Sequence, residues 1–266
     1  MRKWILGILI GIFSCTLVIS AAVLGRYYWT GYKEQGRFDE LAQLRPSVSR
    51  PDPTANPQPE SEYTEVTDPK TGQKRLVLKE LAELFEMNGD MVGWLEIPGA
   101  DISYPVMHTP NQKEYYLHRD FDRNFSNRGC LFVHESCDVF VPSDNVTIYG
   151  HRMKDGTMFA RLDNYMDRDF WEENPYIYFD TLSAHHTYQI IAVFRTTASV
   201  GEGFTYHRFV NAWDAVEFGE FVSTCKSLAL YETGITAQYG DKLICLSTCE
   251  YSQENGRLVV VAKRIS

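Results

Sequence analysis

The sequence predicts a mainly β domain with peripheral helices (α+β), built as an eight-stranded β-barrel that is closed or nearly closed and preceded by an N-terminal helix. Three observations predict it. Eight short runs of β-type residues recur from residue 91 to the C-terminus, with turn-forming residues between them. Few stretches within that region have helical periodicity. The first 25 residues, by contrast, are apolar almost throughout.

From Trp4 to Gly25 there are 22 residues without a charge, flanked by Arg2, Lys3 and Arg26. At about 1.5 Å per residue a helix of that length spans the roughly 30 Å core of a bilayer. The small residues of "ISAAVLG" would also suit a cleaved signal peptide, but the length favours an uncleaved anchor. Arg2 and Lys3 put its N-terminus on the cytoplasmic side of a single-pass cell-membrane protein, with the rest outside the cell. Six of the eleven prolines then fall between Pro46 and Pro69. That composition cannot bury a core, and it reads as an extended stalk. The expected division is residues 1–29 as cytoplasmic tail and anchor, 30–75 as stalk and 76–266 as folded domain.

The folded part opens on "RLVLKELAELFEMNGD", where Val77, Leu81, Leu84 and Phe85 share a helical face and Asn88-Gly89 stops it. The runs "MVGWLEIPG", "DISYPVM", "GCLFVHE", "NVTIYG", "YIYFDT", "TYQIIAVFRT", "DKLICLSTC" and "RLVVVAKRI" follow as strands. Between them "GTMFARLDNYMD" is expected to be helical, as is Asn211–Glu232, the latter capped by Asn211 with Phe218, Phe221, Val222, Cys225 and Leu228 on one face. No internal repeat is visible.

Arg2 and Lys3 are the only charges in residues 1–25, so the remainder carries 24 basic and 35 acidic residues, a net charge of −11. Such a surface repels nucleic-acid phosphate and excludes that partner. Five cysteines lie beyond the apolar segment, an odd number, so at least one has no intramolecular partner. Their spacings fit no zinc pattern.

Cys249 ends the run "KLICLS", where Leu243 and Cys245 share one face and Ile244 and Leu246 the other. Polarity then changes abruptly to "TCEYSQENGR". Cys245 belongs to the packed interior and Cys249 to the rim, where a nucleophile, a surface thiol and a disulfide partner remain open readings. Among seven histidines His151 stands out, just past the glycine that ends "NVTIYG" and before a helical segment; His185 and His186 read as a turn between strands. Arg257 opens the last run, eight positions after Cys249. If those two strands are antiparallel neighbours, Arg257 faces Cys249 and could hold a carbonyl oxygen or its oxyanion, though a solvated arginine is the commoner fate.

Together "LSTC" with "GR" eight residues on, and "YGHRMKDGTMFARLDNY" around His151, resemble the sortases, the membrane-anchored cysteine transpeptidases of Gram-positive bacteria. "VGWLEIPGADISYPVMH" and "YYLHRDFDRNFSNRG" resemble the family's first strands and the loop that follows. The match runs from about residue 76 to the end, and the insert Asn211–Glu232 before the cysteine-bearing strand resembles class B. The resemblance implies that Cys249 attacks the carbonyl after Thr in an x-P-x-T-x sorting signal of a surface protein and forms a thioester. His151 then serves as acid and base, and Arg257 stabilises the oxyanion with help from a backbone N–H near Glu250. It implies Leu117, Ser247, Thr248 and Glu250 as substrate-binding residues, an amine of peptidoglycan or its lipid-linked precursor as acceptor, and no metal or other cofactor. The rival readings are a cysteine cell-wall hydrolase, which would carry its cysteine on a helix, and a non-catalytic membrane-anchored barrel that binds wall ligands. "DPKTG" (Asp68–Gly72) and "NPQP" (56–59) themselves resemble sorting signals, so the first is a candidate intramolecular pseudosubstrate, against the simpler reading of a turn.

Overall fold

The computed structural model describes residues 2–46, 48, 62–199, 201–252 and 254–266. Helix α1 runs from Arg2 to Leu44, well past the apolar segment. The expected stalk therefore begins as helix. Its polar turns carry a Gln35–Asp39 hydrogen bond and an Arg37–Glu40 ion pair, spacings that stabilise a helix, and the chain leaves the helix just ahead of Pro46. Most of the proline-rich stretch, including the "NPQP" segment, lies outside the described residues.

The chain divides into Met1–Glu40 and Leu41–Ser266. In the second unit Leu41 is fully buried. Arg45 pairs with Asp180 and, at 3.2 Å, with Glu96. Asp180 also meets His185 Nδ1 at 3.0 Å, while His185 Nε2 meets Glu80 at 3.2 Å. Arg45 thus ties the chain after α1 to the fold through Asp180 and Glu96, and ligand atoms of Glu80, Asp180 and His185 gather within 4.8 Å of one another beside it.

Strands β1 (Tyr63–Thr67) and β2 (Lys74–Leu78) form a hairpin. Its turn is "DPKTG". Asp68 Oδ1 accepts from Lys70 N and Thr71 N at 2.8 and 3.2 Å, Gly72 at φ 71° donates back to Asp68 O at 2.8 Å, and Pro69 lies against Gly89. The segment is a tight Asx-type turn, so it cannot offer the extended backbone a substrate mimic needs, and the pseudosubstrate expectation is corrected. Val77 likewise belongs to β2 rather than to a helix, because pairing with Thr64 decides its conformation; the helix, α2, is only Ala82–Met87. The Leu41–Ser266 unit thus begins well before residue 76.

All eight expected runs become strands: β3 (Met91–Ile97), β4 (Ile102–Met107), β5 (Leu131–Val133), β6 (Asn145–Tyr149), β7 (Tyr176–Thr181), β8 (Thr187–Thr197), β9 (Leu243–Cys249) and β10 (Gly256–Arg264). They close in the order β10-β8-β7-β3-β4-β5-β6-β9. Six neighbouring pairs are antiparallel, while β4–β5 and β6–β9 are parallel. Parallel neighbours need a crossover, so a long segment, residues 108–130, connects β4 to β5. For the same reason the C-terminal ends of β6 and β9 lie side by side.

The "GTMFARLDNYMD" segment is a 3₁₀-helix, Phe159–Met166, rather than an α-helix. Its buried residues Phe159, Leu162 and Tyr165 recur every third position, which is the 3₁₀ period. A short helix α3 (Arg168–Glu173) follows, capped by Asp167. The expected long insert is helical only over α4 (Ala215–Ser227). Asp214 caps it through Val216 N and Glu217 N, and Asn211 instead accepts from Asp144 N at 3.0 Å. Phe218, Phe221, Val222 and Cys225 of α4 bury against Leu243 and Cys245 of β9, Val259 and Val261 of β10, and Ile191 and Ala192 of β8, covering the outer face of those strands.

Candidate active site

Cys249 is the last residue of β9 and half-buried, whereas every earlier residue of the strand is buried. Strand alternation places it on the face of Leu243, Cys245 and Ser247, the face that α4 covers lower down. It emerges where that cover ends. Cys130, Cys137, Cys225 and Cys245 are buried and unbridged, and burial pushes each of those thiols up, Cys137 to about 11. The cysteine closes a strand and does not open a helix, unlike the hydrolase arrangement considered above.

His151 and Cys249 lie at the same end of the parallel β6–β9 pair. Tyr149, two residues before His151, is the register partner of Ser247, two residues before Cys249. Gly150 N donates to Ser247 O at 3.2 Å, and the Thr248 hydroxyl donates to Gly150 O at 2.8 Å. Residue 150 has no room for a side chain: a Cβ there would lie 2.5 Å from Leu131 Cδ2 and 2.7 Å from the Phe159 ring. The glycine before the histidine is what lets the turn sink against the barrel wall.

The His151 ring is half-buried, and its Nε2 lies 2.7 Å from Leu117 O. A carbonyl only accepts, so Nε2 carries the hydrogen and Nδ1 keeps the lone pair. Burial holds His151 below the ordinary imidazole range; the Leu117 carbonyl opposes this, and the His118 ring, 5.4 Å away between centroids, reinforces it.

Arg257 lies on the other side of the cysteine. Cys249 and Arg257 are register partners in the antiparallel β9–β10 pair, as the short loop between them led one to expect. The half-buried guanidinium donates through Nη1 to Gly256 O and Asn255 O, at 2.9 and 3.2 Å.

The four residues expected to bind substrate are placed as follows. Thr248 is 2% exposed and its hydroxyl is spent on Gly150 O. Ser247 is equally buried, its Oγ 2.5 Å from the hydroxyl of Tyr206. Glu250 turns its carboxylate onto Ser252, N and Oγ. Its N–H donates to Gly256 O at 2.9 Å, so it closes the β9–β10 hairpin rather than standing free for an oxyanion. Leu117 contributes its carbonyl to His151. The side-chain polar groups of Ser247, Thr248 and Glu250 are thus engaged within the protein. Sequence reasoning missed Tyr206, whose phenol burial pushes up to about 12 while Ser247 and Arg257 work against that shift; an aromatic in an irregular loop gives no periodic signal.

The chain matches the sortase domain family model over residues 95–265. It is 32% identical over 193 residues to sortase B of Listeria monocytogenes, covering 71% of this chain and 76% of that one. Among solved structures it is similar to a Staphylococcus aureus sortase B–substrate complex, with a TM-score of 0.65 and 28% identity over 71% of this chain and 85% of the other. It is also similar to Bacillus anthracis sortase B in complex with AAEK1, with a TM-score of 0.68 and 26% identity over 89% and 98% of the two chains.

Proposed function

The chain belongs to the sortase family, with sortase B enzymes as its relatives, and on that premise we propose that Cys249, His151 and Arg257 are the reacting constellation of its cysteine transpeptidase activity. The observation that supports this is the double register of β9. Its antiparallel neighbour pairs Arg257 with Cys249, and its parallel neighbour ends opposite Ser247, two residues before His151.

The substrate is the x-P-x-T-x sorting signal of a secreted surface protein. The Cys249 sulfur attacks the carbonyl after Thr while the thiol proton passes to Nδ1 of His151, whose neutral form burial favours. The Arg257 guanidinium faces the developing oxyanion. Collapse of the tetrahedral intermediate breaks the C–N bond, and His151 returns its proton to the leaving amine. A peptidoglycan amine then attacks the thioester, losing a proton to His151 and restoring the thiol. The apolar helix from Trp4 onward anchors the enzyme in the membrane with its domain outside, on the face where such substrates are presented.

Mixing the protein with x-P-x-T-x peptides and weighing it by mass spectrometry tests this. A peptide adduct released by hydroxylamine is expected, and it should vanish in Cys249→Ala. His151→Ala and Arg257→Ala should each lower turnover by at least about 100-fold. An intact fold with no adduct from any such peptide would falsify the reading.

A further inference from the structure

The carbonyl that His151 meets belongs to the crossover between β4 and β5, and that crossover is held by a buried polar cluster. Tyr116, one residue before Leu117, is fully buried. Its hydroxyl donates to Asp90 Oδ2 at 2.8 Å and accepts from Asn88 Nδ2 at 2.9 Å. Arg123, further along the crossover, reaches the same carboxylate oxygen through Nε and Nη2 at 3.1 and 3.0 Å, and its Nη2 donates to Asn88 Oδ1 at 2.6 Å. Asn88 Nδ2 also donates to Phe121 O at 2.6 Å, and Lys70 of the β1–β2 turn pairs with the other Asp90 oxygen. Three crossover residues thus converge on two residues that lie just before β3.

The opposite side of Tyr116 is fixed as well. Its carbonyl accepts from Cys130 N at 3.0 Å, and a Cβ on Gly129, at φ 58°, would lie 2.4 Å from both the Tyr116 and the Leu117 oxygens. Glu114 and Arg123 hold left-handed φ of 54° and 66°. Non-glycine residues adopt that region at a cost, so the shape of this crossover depends on what grips it.

We propose that Asp90 is a positioning residue for His151, acting through the Tyr116 hydroxyl and the Leu117 carbonyl; this rests on the acid–base role assigned to His151 above. A carbonyl fixed at 2.7 Å selects the Nε2–H tautomer and leaves Nδ1 for proton exchange. It also favours the charged ring, which donates more strongly, against burial and the neighbouring His118. Loosening the grip on Tyr116 lets Leu117 O drift, so His151 should lose part of that support and admit the other tautomer.

The test is nuclear magnetic resonance of isotope-labelled histidine in the full chain in detergent, with His151 assigned by His151→Gln. In Tyr116→Phe and in Asp90→Ala the His151 midpoint should fall by about half a pH unit, the size expected when one hydrogen bond to the charged form weakens. The share of Nδ1–H tautomer should rise in both. Turnover of an x-P-x-T-x peptide, scaled to the folded fraction measured by circular dichroism, should show kcat down about three- to tenfold with KM within about twofold. Tyr165→Phe is the control, since it removes a buried tyrosine hydroxyl that donates to Asn174 O at 2.9 Å and should leave His151 unmoved. An unchanged midpoint and tautomer in both variants, or an equal shift in the control, overturns the proposal whatever happens to activity. Full activity in His151→Ala would instead overturn the acid–base role, and the titration tells the two failures apart.

Discussion

Replacing Thr248 by valine tests whether the parallel pair sets the position of His151. Thr248 is 2% exposed and its hydroxyl makes a single described bond, 2.8 Å to Gly150 O, one residue before His151. Valine has the same shape, so no cavity opens and the loss is the hydrogen bond together with the partner removed from a half-buried carbonyl. That amounts to about 1.5 kcal/mol, or roughly 3–6 °C in melting temperature for a domain of this size. The effect on turnover should be disproportionate. With the anchor gone the Gly150–His151 turn keeps the Gly150 N–Ser247 O and Phe159 N–His151 O bonds but loses its tie to Thr248, and misplacement by an ångström is enough to cost about tenfold or more in kcat. The assays are thermal unfolding followed by circular dichroism and single-turnover thioester formation at saturating peptide. Thr248→Ser, which keeps the hydroxyl, should restore most of the rate. A Thr248→Val protein that melts early as expected but turns over within twofold of the parent would show that this bond does not place His151.

Other consequences can be checked as directly. Alkylation with iodoacetamide at pH 8, mapped by peptide mass spectrometry, should modify Cys249 and spare Cys130, Cys137, Cys225 and Cys245, whose burial suppresses the thiolate; labelling of Cys245 at a comparable rate would contradict its placement under α4. Burial, assisted by Arg264, depresses His186 to about 4. Its folded value lies below its unfolded one, so the stability it contributes is present above pH 6.5 and is lost as pH falls toward 4, by on the order of 3 kcal/mol in full; urea midpoints should drop across that window, and less so in His186→Gln. Asp214→Ala removes the cap of α4 and should cost about 1 kcal/mol in urea unfolding, while Asn211→Ala should leave the helix content unchanged.

The strands were legible because each alternates or runs apolar between turn residues, and the Cys249–Arg257 pairing was legible because a short loop joins consecutive strands. The parallel pairs were not. Nothing in "NVTIYG" or "KLICLS" announces that β6 and β9 are neighbours, since that follows from barrel closure, and with it comes the placing of His151 and Cys249 at one end of the same strand pair. Residues whose partners are distant in sequence were the hardest to read. Thr248 and Ser247 look like free hydroxyls beside a nucleophile, yet one is tied to Gly150 and the other to Tyr206. Asn211 looks like a cap until Asp144 claims it. Local propensity spoke for Val77 in a helix, and pairing with β1 overruled it.

The parallel pairing of β6 and β9 has a bearing on how this architecture tolerates change. The position of Cys249 is set laterally, by ladders of β9 to β6 and β10, while the segment that leads into β9 touches the strand through Tyr206, which meets Ser247, and through the apolar face of α4. Loop closure grows costlier only slowly with length. The connections on either side of α4 can therefore change in length while the residues at the strand ends keep their spacing, provided that Tyr206 and the buried face of α4 are kept. The barrel behaves as a fixed frame whose connecting loops can vary, and a new surface grafted onto them would sit beside the same strand ends.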